Sequence, residues 1–147
     1  GSEMCIRDRL TVMEMYEIAR SRFEVFAMEQ KIIQEPELDG VDKDCYQVFY
    51  MDNGRVIAYC RIVPAGIAYD NISLGRVLVL NDYRRKGLAQ IMIKEALKFI
   101  KEELKEDTVV LSGQVYAKGL YESVGFKIIS DVYDEVGIPH VKMKIEL

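Results

Sequence analysis

A regular apolar stripe across residues 86–104 limits what this chain can fold into more than any other feature. Apolar residues recur there at helical spacing while lysine and glutamate fill the opposite face, so we predict an amphipathic helix that begins near Lys86. Residues 72–80 before it and residues 108–112 after it are apolar runs of strand length. The order strand, helix, strand predicts a βαβ unit with two parallel strands and a right-handed crossover.

The first half of the chain carries the signals of one helix and one hairpin. Thr11 and Glu14 fit a capping box, which predicts a helix over residues 12–29. Its apolar residues at helical spacing predict the buried face: Val12, Met15, Ala19, Phe23 and Phe26. The acid-rich residues 31–44 are interpreted as a loop. Residues 46–51 and 55–63 flank Asp52-Asn53-Gly54, which is a strong hairpin signal.

The last part of the chain predicts a short helix and two strands. The helix ends at Gly125 and has Ala117, Leu120, Tyr121 and Val124 on one face. Strands over residues 126–133 and 140–146 follow, with a turn at residues 134–137. Together these elements predict one α/β domain over residues 3–147, an α+β mixed sheet with helices on both faces. Gly1 and Ser2 are interpreted as residues left by cloning.

Composition narrows the classes of partner and the compartment. The formal net charge of −4 argues against nucleic acid or a membrane as partner and is compatible with a cationic substrate. The three cysteines form no CxxC pair, and with a single histidine they leave little for a metal site. No apolar run approaches the ~18 residues of a membrane span, and no signal-peptide stretch is seen. We therefore expect a cytoplasmic protein with reduced thiols and no metal.

Three consecutive cations at the predicted start of the long helix indicate an anion-binding turn. Arg84, Arg85 and Lys86 oppose the positive end of the helix dipole, which disfavours each cation there by ~0.3–1 kcal/mol. A bound polyanion would remove this conflict, and the small Gly87 and Ala89 would let a phosphate approach the backbone. A solvated basic turn is the alternative interpretation. The patterns GxxxxGK[ST] and GxGxxG are absent, so the phosphate-binding folds that carry them are not expected.

Several segments resemble one family of acyltransferases. Residues 84–89, Arg-Arg-Lys-Gly-Leu-Ala, resemble the [QR]-x-x-G-x-[GA] signature of the GNAT acetyltransferases, and residues 120–126 resemble their LYxxxGF segment. Val25-Phe26 with Glu29-Gln30, Asp39-Gly40, and Tyr133 with residues 137–140 are similar to the ElaA-like branch. The resemblance covers nearly the whole chain. It implies the GNAT acyl-CoA N-acyltransferase fold, with acetyl-CoA as co-substrate and no metal.

The resemblance also implies a binding role for each part of the co-substrate site. Residues of one strand would lie along the pantetheine arm and pair with it as an extra strand does: Val77, Leu78 and Val79. The turn at the helix start would hold the pyrophosphate: Arg84, Arg85, Lys86, Gly87, Leu88 and Ala89. Arg84 replaces the commoner glutamine of the signature. Gln114 stands where many relatives carry an asparagine that touches the cofactor.

Direct attack of an amine on a thioester needs an oxyanion donor, an acid and a base. A backbone N–H around Val79 is suited to the oxyanion. A tyrosine, with a pKa of ~10, can give a proton to a thiolate of comparable basicity. Tyr121 also stands where the resemblance places the family's usual acid. The alternative role of Tyr121 is packing of its ring. The candidate bases are Glu29, Asp39 and His140, each of which also has a structural interpretation. No Cys/His or Ser/His/Asp arrangement supports an acyl-enzyme.

These signals predict an N-acetyltransferase that moves acetyl from acetyl-CoA to a primary amine in a ternary complex. A CoA-binding domain that only senses or scaffolds, and transfer of a longer acyl chain, are the alternatives. The acceptor stays open between a small amine, an amino acid and a peptide or protein amine, and a homodimer is left open. Five acids of the predicted loop either attract a cationic acceptor or form a solvated surface: Glu35, Glu37, Asp39, Asp42 and Asp44.

Overall fold

A single mixed sheet of eight strands forms the centre of the molecule. The computed structural model describes residues 2–147, so Gly1 lies outside it. The strands are β1 (Ser2–Arg7), β2 (Tyr46–Asp52), β3 (Arg55–Val63), β4 (Ile72–Val79), β5 (Thr108–Gln114), β6 (Lys127–Ile128), β7 (Tyr133–Glu135) and β8 (Ile138–Glu146). Their order in the sheet is β1-β2-β3-β4-β5-β8-β6, and β7 also pairs with β8.

Three helices flank this sheet. They are α1 (Val12–Arg22), which continues as a π-helix over Phe23–Glu29, α2 (Leu88–Glu102) and α3 (Lys118–Ser123). Short 3₁₀ turns lie at Asp42–Asp44, Asn81–Tyr83 and Val115–Ala117. None of the helices in residues 2–147 combines the length and apolarity needed to cross a bilayer.

The predicted hairpin and the predicted βαβ unit are confirmed. β2 and β3 pair in antiparallel fashion around Asn53 and Gly54, whose φ values of 50° and 75° are those of a tight two-residue turn. β4 and β5 are parallel and are connected through α2, whose buried residues belong to the predicted stripe. The helix begins at Leu88 rather than near Lys86, because Gly87 at its N-cap has a left-handed φ of 73°.

The first helix has its predicted capping box but a different buried face. The Thr11 hydroxyl accepts from the N–H of Glu14, and the Glu14 carboxylate accepts from the N–H of Thr11. The predicted apolar stripe is right for Phe26, which is buried, and wrong for Val12 and Phe23, which are 84 % and 44 % exposed. The buried face instead carries Arg22, whose side chain has no exposed surface and is held by two acids described below. A charged residue that the apolar pattern did not include is therefore buried on this helix.

The sheet edges differ from the prediction at both ends of the chain. β1 was not predicted; it pairs with β2 along its whole length. The predicted strand over residues 126–133 is broken into β6 and β7. The Ser130 hydroxyl accepts the N–H of Lys142, a β8 donor that a continuing strand would have used. The Ser130 hydroxyl thereby takes the place of a backbone carbonyl as the acceptor for this N–H.

Each face of the sheet has its own hydrophobic core. One cluster packs α2 and α3 against the sheet, with Met92, Ile93 and Tyr121 among its members. The other packs α1 and the π-helix against the opposite face, around Ile18 and Phe26. Helices therefore cover both faces, as predicted, and the fold is a mixed α/β fold. All three cysteines in the described residues are buried free thiols.

Candidate active site

The parallel strands β4 and β5 separate soon after they begin. They pair only at Ile72 with Val109 and at Ser73 with Val110, and no strand within residues 2–147 pairs with that edge of β4 further on. On its other edge β4 has a bulge, because the register passes from Tyr59 opposite Leu78 to Arg61 opposite Gly75. A bulge bends its strand and leaves residues unpaired, so it accounts for the open edge.

Arg76 is the residue that makes the bulge. Its φ of 54° lies in the left-handed region, which non-glycine residues rarely adopt. Strained backbone of this kind is concentrated at functional sites. The bulge therefore marks the open edge of β4 as the first structural candidate for a site.

Two cavities are lined by residues at successive positions of β4. The first, which we call the acceptor cleft, has a volume of about 230 Å³ and reaches from Gly75–Val77 to Tyr121, Glu135 and His140. The second, the α2 groove, has a volume of about 480 Å³. The groove runs past most of the residues predicted to hold the pyrophosphate and the end of the pantetheine arm: Val79, Arg84, Arg85, Gly87, Leu88 and Ala89.

The start of α2 has the features of an anion site. The first intrahelical bond runs from the N–H of Ile91 to the carbonyl of Gly87, so the preceding N–H groups have no partner inside the helix. No side chain caps this end. Arg85 and Gly87 both have left-handed φ values, of 65° and 73°, which fold the turn back before the helix. A methyl group built on Gly87 would meet nothing within 4 Å, so the turn faces open space.

Arg84 binds protein groups rather than facing the α2 groove as a free cation. Its Nη1 and Nη2 donate to the two carboxylate oxygens of Glu29 at 2.6 and 2.8 Å, and its Nε donates to the Val79 carbonyl at 2.8 Å. These hydrogen bonds from Arg84 lower the pKa of Glu29, although burial acts in the opposite direction. A lowered pKa makes Glu29 a weak base. From the end of the π-helix, Glu29 holds Arg84 in place, and Arg84 in turn binds the carbonyl of Val79 on β4.

The free edge of β4 offers an N–H group more readily than a carbonyl at Val79. Leu80 donates its N–H to Ile57 on β3, so by strand alternation the backbone groups of Val79 face the opposite, open side. Arg84 already occupies the carbonyl there, which leaves the N–H of Val79 for a ligand. Leu78 is buried, so its side chain belongs to the core.

Tyr121 is buried but keeps its hydroxyl group unpaired. The residue is 7 % exposed, and its ring packs edge-on against Phe126 at 6.1 Å. Its hydroxyl makes no hydrogen bond to another group in the described residues, and the residue lines the acceptor cleft. Burial raises the pKa of Tyr121, which keeps the phenol protonated. Gly113 permits this position, since a Cβ there would lie 3.1 Å from the Tyr121 ring.

Gln114 belongs to the wall of the acceptor cleft. Its Nε2 donates to Oε1 of Gln30 at 3.0 Å, and Gln30 in turn donates to the Tyr116 hydroxyl at 3.4 Å. Gln30 follows the π-helix, whose wider turn is closed by the bond from the Gln30 N–H to the Val25 carbonyl. The π-helix therefore places Glu29 on the edge of β4 and Gln30 on the cleft.

His140 lies beside Gln114, its cross-strand partner on β5, in the tight hairpin of β7 and β8. It is 5 % exposed, and its ring stacks on Tyr133 at 6.2 Å. Its Nδ1 lies 2.7 Å from the Ile138 carbonyl and its Nε2 lies 3.4 Å from a carboxylate oxygen of Glu135. Glu135 was not among the predicted site residues, since the sequence placed it in a turn.

Three arginines fix the acid-rich loop over the acceptor cleft. Arg22 contacts Glu37 at 2.8 Å and Asp42 at 2.6 Å. The two other arginines bind from the sheet: Arg61 contacts Asp39 and Asp42, and Arg76 contacts Glu37 and Asp39. The hydrogen bond from Arg61 holds the pKa of Asp39 well below its usual range, although burial acts in the opposite direction. This pairing disfavours Asp39 as a base.

The sequence contained a signal for this arginine cluster that composition alone does not reveal. Arg61 and Arg76 interrupt apolar strands, and Arg22 stands on the buried face of a helix. Charged residues are rarely buried without a partner, so each predicted an acid elsewhere in the chain. Three of the five loop acids are those partners, and only Glu35 and Asp44 are left without an ion pair in the described residues.

Comparison with known proteins assigns this arrangement to a family. The profile of the family described as "Acetyltransferase (GNAT) domain" matches residues 15–147. The chain belongs to the GNAT acetyltransferase family. A UPF0039 protein of Schizosaccharomyces pombe is 42 % identical over 140 residues, which cover 94 % of this chain and 91 % of that protein.

The ElaA-like branch of the GNAT family is supported by both sequence and structure. Protein ElaA of Escherichia coli is 28 % identical over 139 residues, covering 94 % of this chain and 91 % of ElaA. The crystal structure of ElaA superposes with a TM-score of 0.90 at 27 % identity, covering 99 % of this chain and 100 % of that chain. An acyl-CoA N-acyltransferase from Pseudomonas aeruginosa superposes with a TM-score of 0.89 at 28 % identity, covering 99 % of each chain. The fold is therefore the GNAT acyl-CoA N-acyltransferase fold.

Proposed function

We propose that this protein transfers an acetyl group from acetyl-CoA directly to a primary amine within a ternary complex. The observation that carries the proposal is the open edge of β4, which has residues in both cavities: residues 75–77 line the acceptor cleft and Val79 lines the α2 groove. The α2 groove suits the co-substrate and the acceptor cleft suits the amine. Two substrates held next to one another along one strand can react without a covalent enzyme intermediate.

The α2 groove fits the chemistry of coenzyme A. The unpaired N–H groups at the start of α2 and the exposed Arg85 and Lys86 would bind the pyrophosphate. Residues 77–79 would lie along the pantetheine arm, with the Val79 N–H on the open edge. Arg84 would contribute by positioning the end of β4 through Val79, rather than by facing the phosphates.

The catalytic steps need a donor for the oxyanion, an acid and a base. A backbone N–H of the bulged part of β4, around Val79, would stabilise the tetrahedral oxyanion. Tyr121 would give its phenolic proton to the departing thiolate, since its hydroxyl makes no hydrogen bond to the described residues and the residue lines the acceptor cleft. Burial raises its pKa, so the phenol is protonated before the reaction but is a weaker acid than a free tyrosine. His140 is the candidate base that the cleft favours, because Glu29 and Asp39 are each bound by arginine.

The test is a screen of acetyl-CoA turnover against a panel of primary amines, amino acids and lysyl peptides, in which the released thiol is measured. We expect amine-dependent thiol release with at least one acceptor class. A protein that binds coenzyme A tightly but releases no thiol with any acceptor would be a sensor or scaffold, and the proposal would be wrong. Parallel assays with longer acyl-CoA thioesters measure the acyl-chain preference.

A further inference from the structure

The hairpin of β7 and β8 presents a carboxylate and an imidazole to the same wall of the acceptor cleft. Tyr133 pairs with His140 and Glu135 pairs with Ile138, so Tyr133, Glu135 and His140 share one face of the hairpin. The connecting residues Val136 and Gly137 have φ values of 49° and 78°, which fix a tight two-residue turn. Both Glu135 and His140 line the cleft. The hairpin therefore holds them in a fixed relation.

The hydrogen bonds of His140 determine which ring nitrogen can accept a proton. The Ile138 carbonyl can only accept, so Nδ1 carries the hydrogen of that 2.7 Å contact. In the neutral ring Nε2 is then an acceptor. It points toward the Glu135 carboxylate at 3.4 Å, which is also an acceptor. Two acceptors that face one another this closely suit a donor placed between them.

The charges around the acceptor cleft leave a surplus of negative charge, carried by Glu35 and Glu135, which both line it without an ion pair to arginine or lysine in the described residues. Among the described residues that line the cleft there are two arginines, Arg61 and Arg76, and no lysine. Both arginines are bound by loop acids. Glu135 has no arginine or lysine partner in the described residues, and its side chain is 47 % exposed. Its other contact is the Ser112 hydroxyl, which donates to it at 3.3 Å and also bonds to the Tyr133 hydroxyl. A cation would offset this charge, whereas an anion would not.

A second and independent feature indicates that a polar ligand enters this cleft. The Tyr121 hydroxyl belongs to a residue that is more than nine-tenths buried, lines the same cleft and has no partner in the described residues. A hydroxyl that has no protein partner can donate to or accept from a polar group of a ligand that enters the cleft. The cleft volume of about 230 Å³ lies below that of sites for drug-sized ligands, so it suits a small molecule.

We propose that Glu135 and Nε2 of His140 bind the ammonium group of the acceptor, and that the acceptor is a small alkylammonium cation without a carboxylate of its own. The inference rests on the proposed acetyl transfer. One N–H bond of the ammonium breaks and its proton goes to Nε2. The nitrogen keeps the electron pair and forms a bond to the thioester carbonyl carbon. The C–S bond then breaks, the thiolate takes the proton of Tyr121, and the nitrogen gives its second proton to the Tyr121 phenolate. The Glu135 carboxylate offsets the charge of the imidazolium that forms, which releases its proton to solvent after the reaction.

Three amines with four carbon atoms each test this recognition by binding, independently of turnover. Calorimetric titration of 1,4-diaminobutane, 1-aminobutane and 4-aminobutanoate into the protein saturated with coenzyme A should give the tightest binding for the diamine. We expect 4-aminobutanoate to bind at least about ten-fold more weakly than the diamine, because the negative charge of the cleft repels its carboxylate and attracts the second ammonium of the diamine. Tighter binding of 4-aminobutanoate, or no binding of any of the three amines, would overturn the proposal.

The Glu135→Gln variant tests the residue. It should weaken diamine binding about ten-fold or more and reduce the difference among the three amines. Glu102→Gln, an exposed position on α2 outside both cavities, is the matched control and should bind like wild type. A Glu135→Gln variant that melts like wild type and binds the diamine equally well would contradict the proposal. Glu135-dependent binding without thiol release from acetyl-CoA would instead overturn the proposed transfer and leave the binding site standing.

Discussion

At the residue scale, the chemistry depends on which polar groups are still free. Tyr121 has an unpaired hydroxyl in the acceptor cleft, whereas the carboxylates of Glu29 and Asp39 are each bound by arginine. A side chain held in an ion pair has lost much of its capacity to accept a proton. The roles of Tyr121 and Glu29 can therefore be separated by substitutions that keep their shape.

Replacing Tyr121 by phenylalanine should slow turnover without loosening the fold. The ring packing on Phe126 is kept and only the proposed proton donor is removed, so kcat should fall ~10²–10⁴-fold. The affinity for coenzyme A, measured by calorimetry, should stay the same. Tyr16→Phe is the control, since Tyr16 is 59 % exposed and lies outside both cavities. A higher KM with unchanged kcat would make Tyr121 a binding residue, and unchanged values of both would leave it a packing residue.

Glu29→Gln should leave kcat within a few-fold of wild type. The Glu29–Arg84 pair is partly exposed, and exposed ion pairs contribute only ~0.2–1 kcal/mol to the free energy of unfolding. Steady-state kinetics with the best acceptor of the amine screen measures this. A loss of kcat of about 10²-fold or more in a variant with unchanged melting temperature would restore Glu29 as the general base.

At the element scale, the left-handed turn before α2 and the bulge in β4 build the site. The turn exposes the unpaired N–H groups of the helix, and the bulge accounts for the open strand edge. The loop over residues 35–44 is fixed on the cleft by arginines from α1, β3 and β4. Each of these features has its own measurable consequence.

Gly87→Glu should abolish binding of coenzyme A, because a carboxylate would enter the proposed pyrophosphate site. Gly87→Ala is the matched control. Both variants carry the same cost of about 1 kcal/mol for a left-handed non-glycine residue, and the Cβ itself meets nothing within 4 Å. Calorimetry should show weakened binding in the alanine variant and none in the glutamate variant. Equal affinities in the two folded variants would show that the pyrophosphate binds elsewhere.

The Asp39–Arg61 pair should make part of the free energy of unfolding depend on pH. The pKa of Asp39 is lowered in the folded state, so its contribution is complete above the unfolded pKa of about 3.9 and is lost as the pH falls toward the folded value. Urea unfolding from pH 3 to pH 7 should show wild type more stable than Asp39→Asn at neutral pH, with a gap that shrinks below about pH 4. Asp8→Asn, at an exposed position that has no hydrogen-bond or ion-pair partner in residues 2–147, should show no such change. A gap that stays constant over this range would contradict the role of the pair.

At the scale of the whole molecule, the features that the sequence predicted well are local ones. The βαβ unit, the Asn53-Gly54 turn and the capping box each depend on residues within one segment, and all three are present. The family resemblance added the fold and the place of the co-substrate site. These two sources together predicted the architecture.

Features that depend on partners distant in sequence were missed. β1 is a short polar-ended segment that becomes a strand only through its pairing with β2, and Arg22 is buried only because Glu37 and Asp42 arrive from the loop. The sequence pattern placed Glu135 in a turn. It becomes a candidate binding group only because the β7–β8 hairpin brings it to the acceptor cleft. In each case the local pattern was ambiguous, and tertiary contacts decided the outcome.

Whether the protein transfers acetyl directly to the amine can be measured by following a labelled acetyl group. The protein is mixed with ¹³C-acetyl-CoA, with and without an acceptor amine, and both the small molecules and the intact protein are analysed by mass spectrometry. The account predicts that the label appears on the amine nitrogen only when protein and amine are both present, while the protein mass stays unchanged. Label that accumulates on the protein, or that remains in acetyl-CoA with every amine tested, would contradict it.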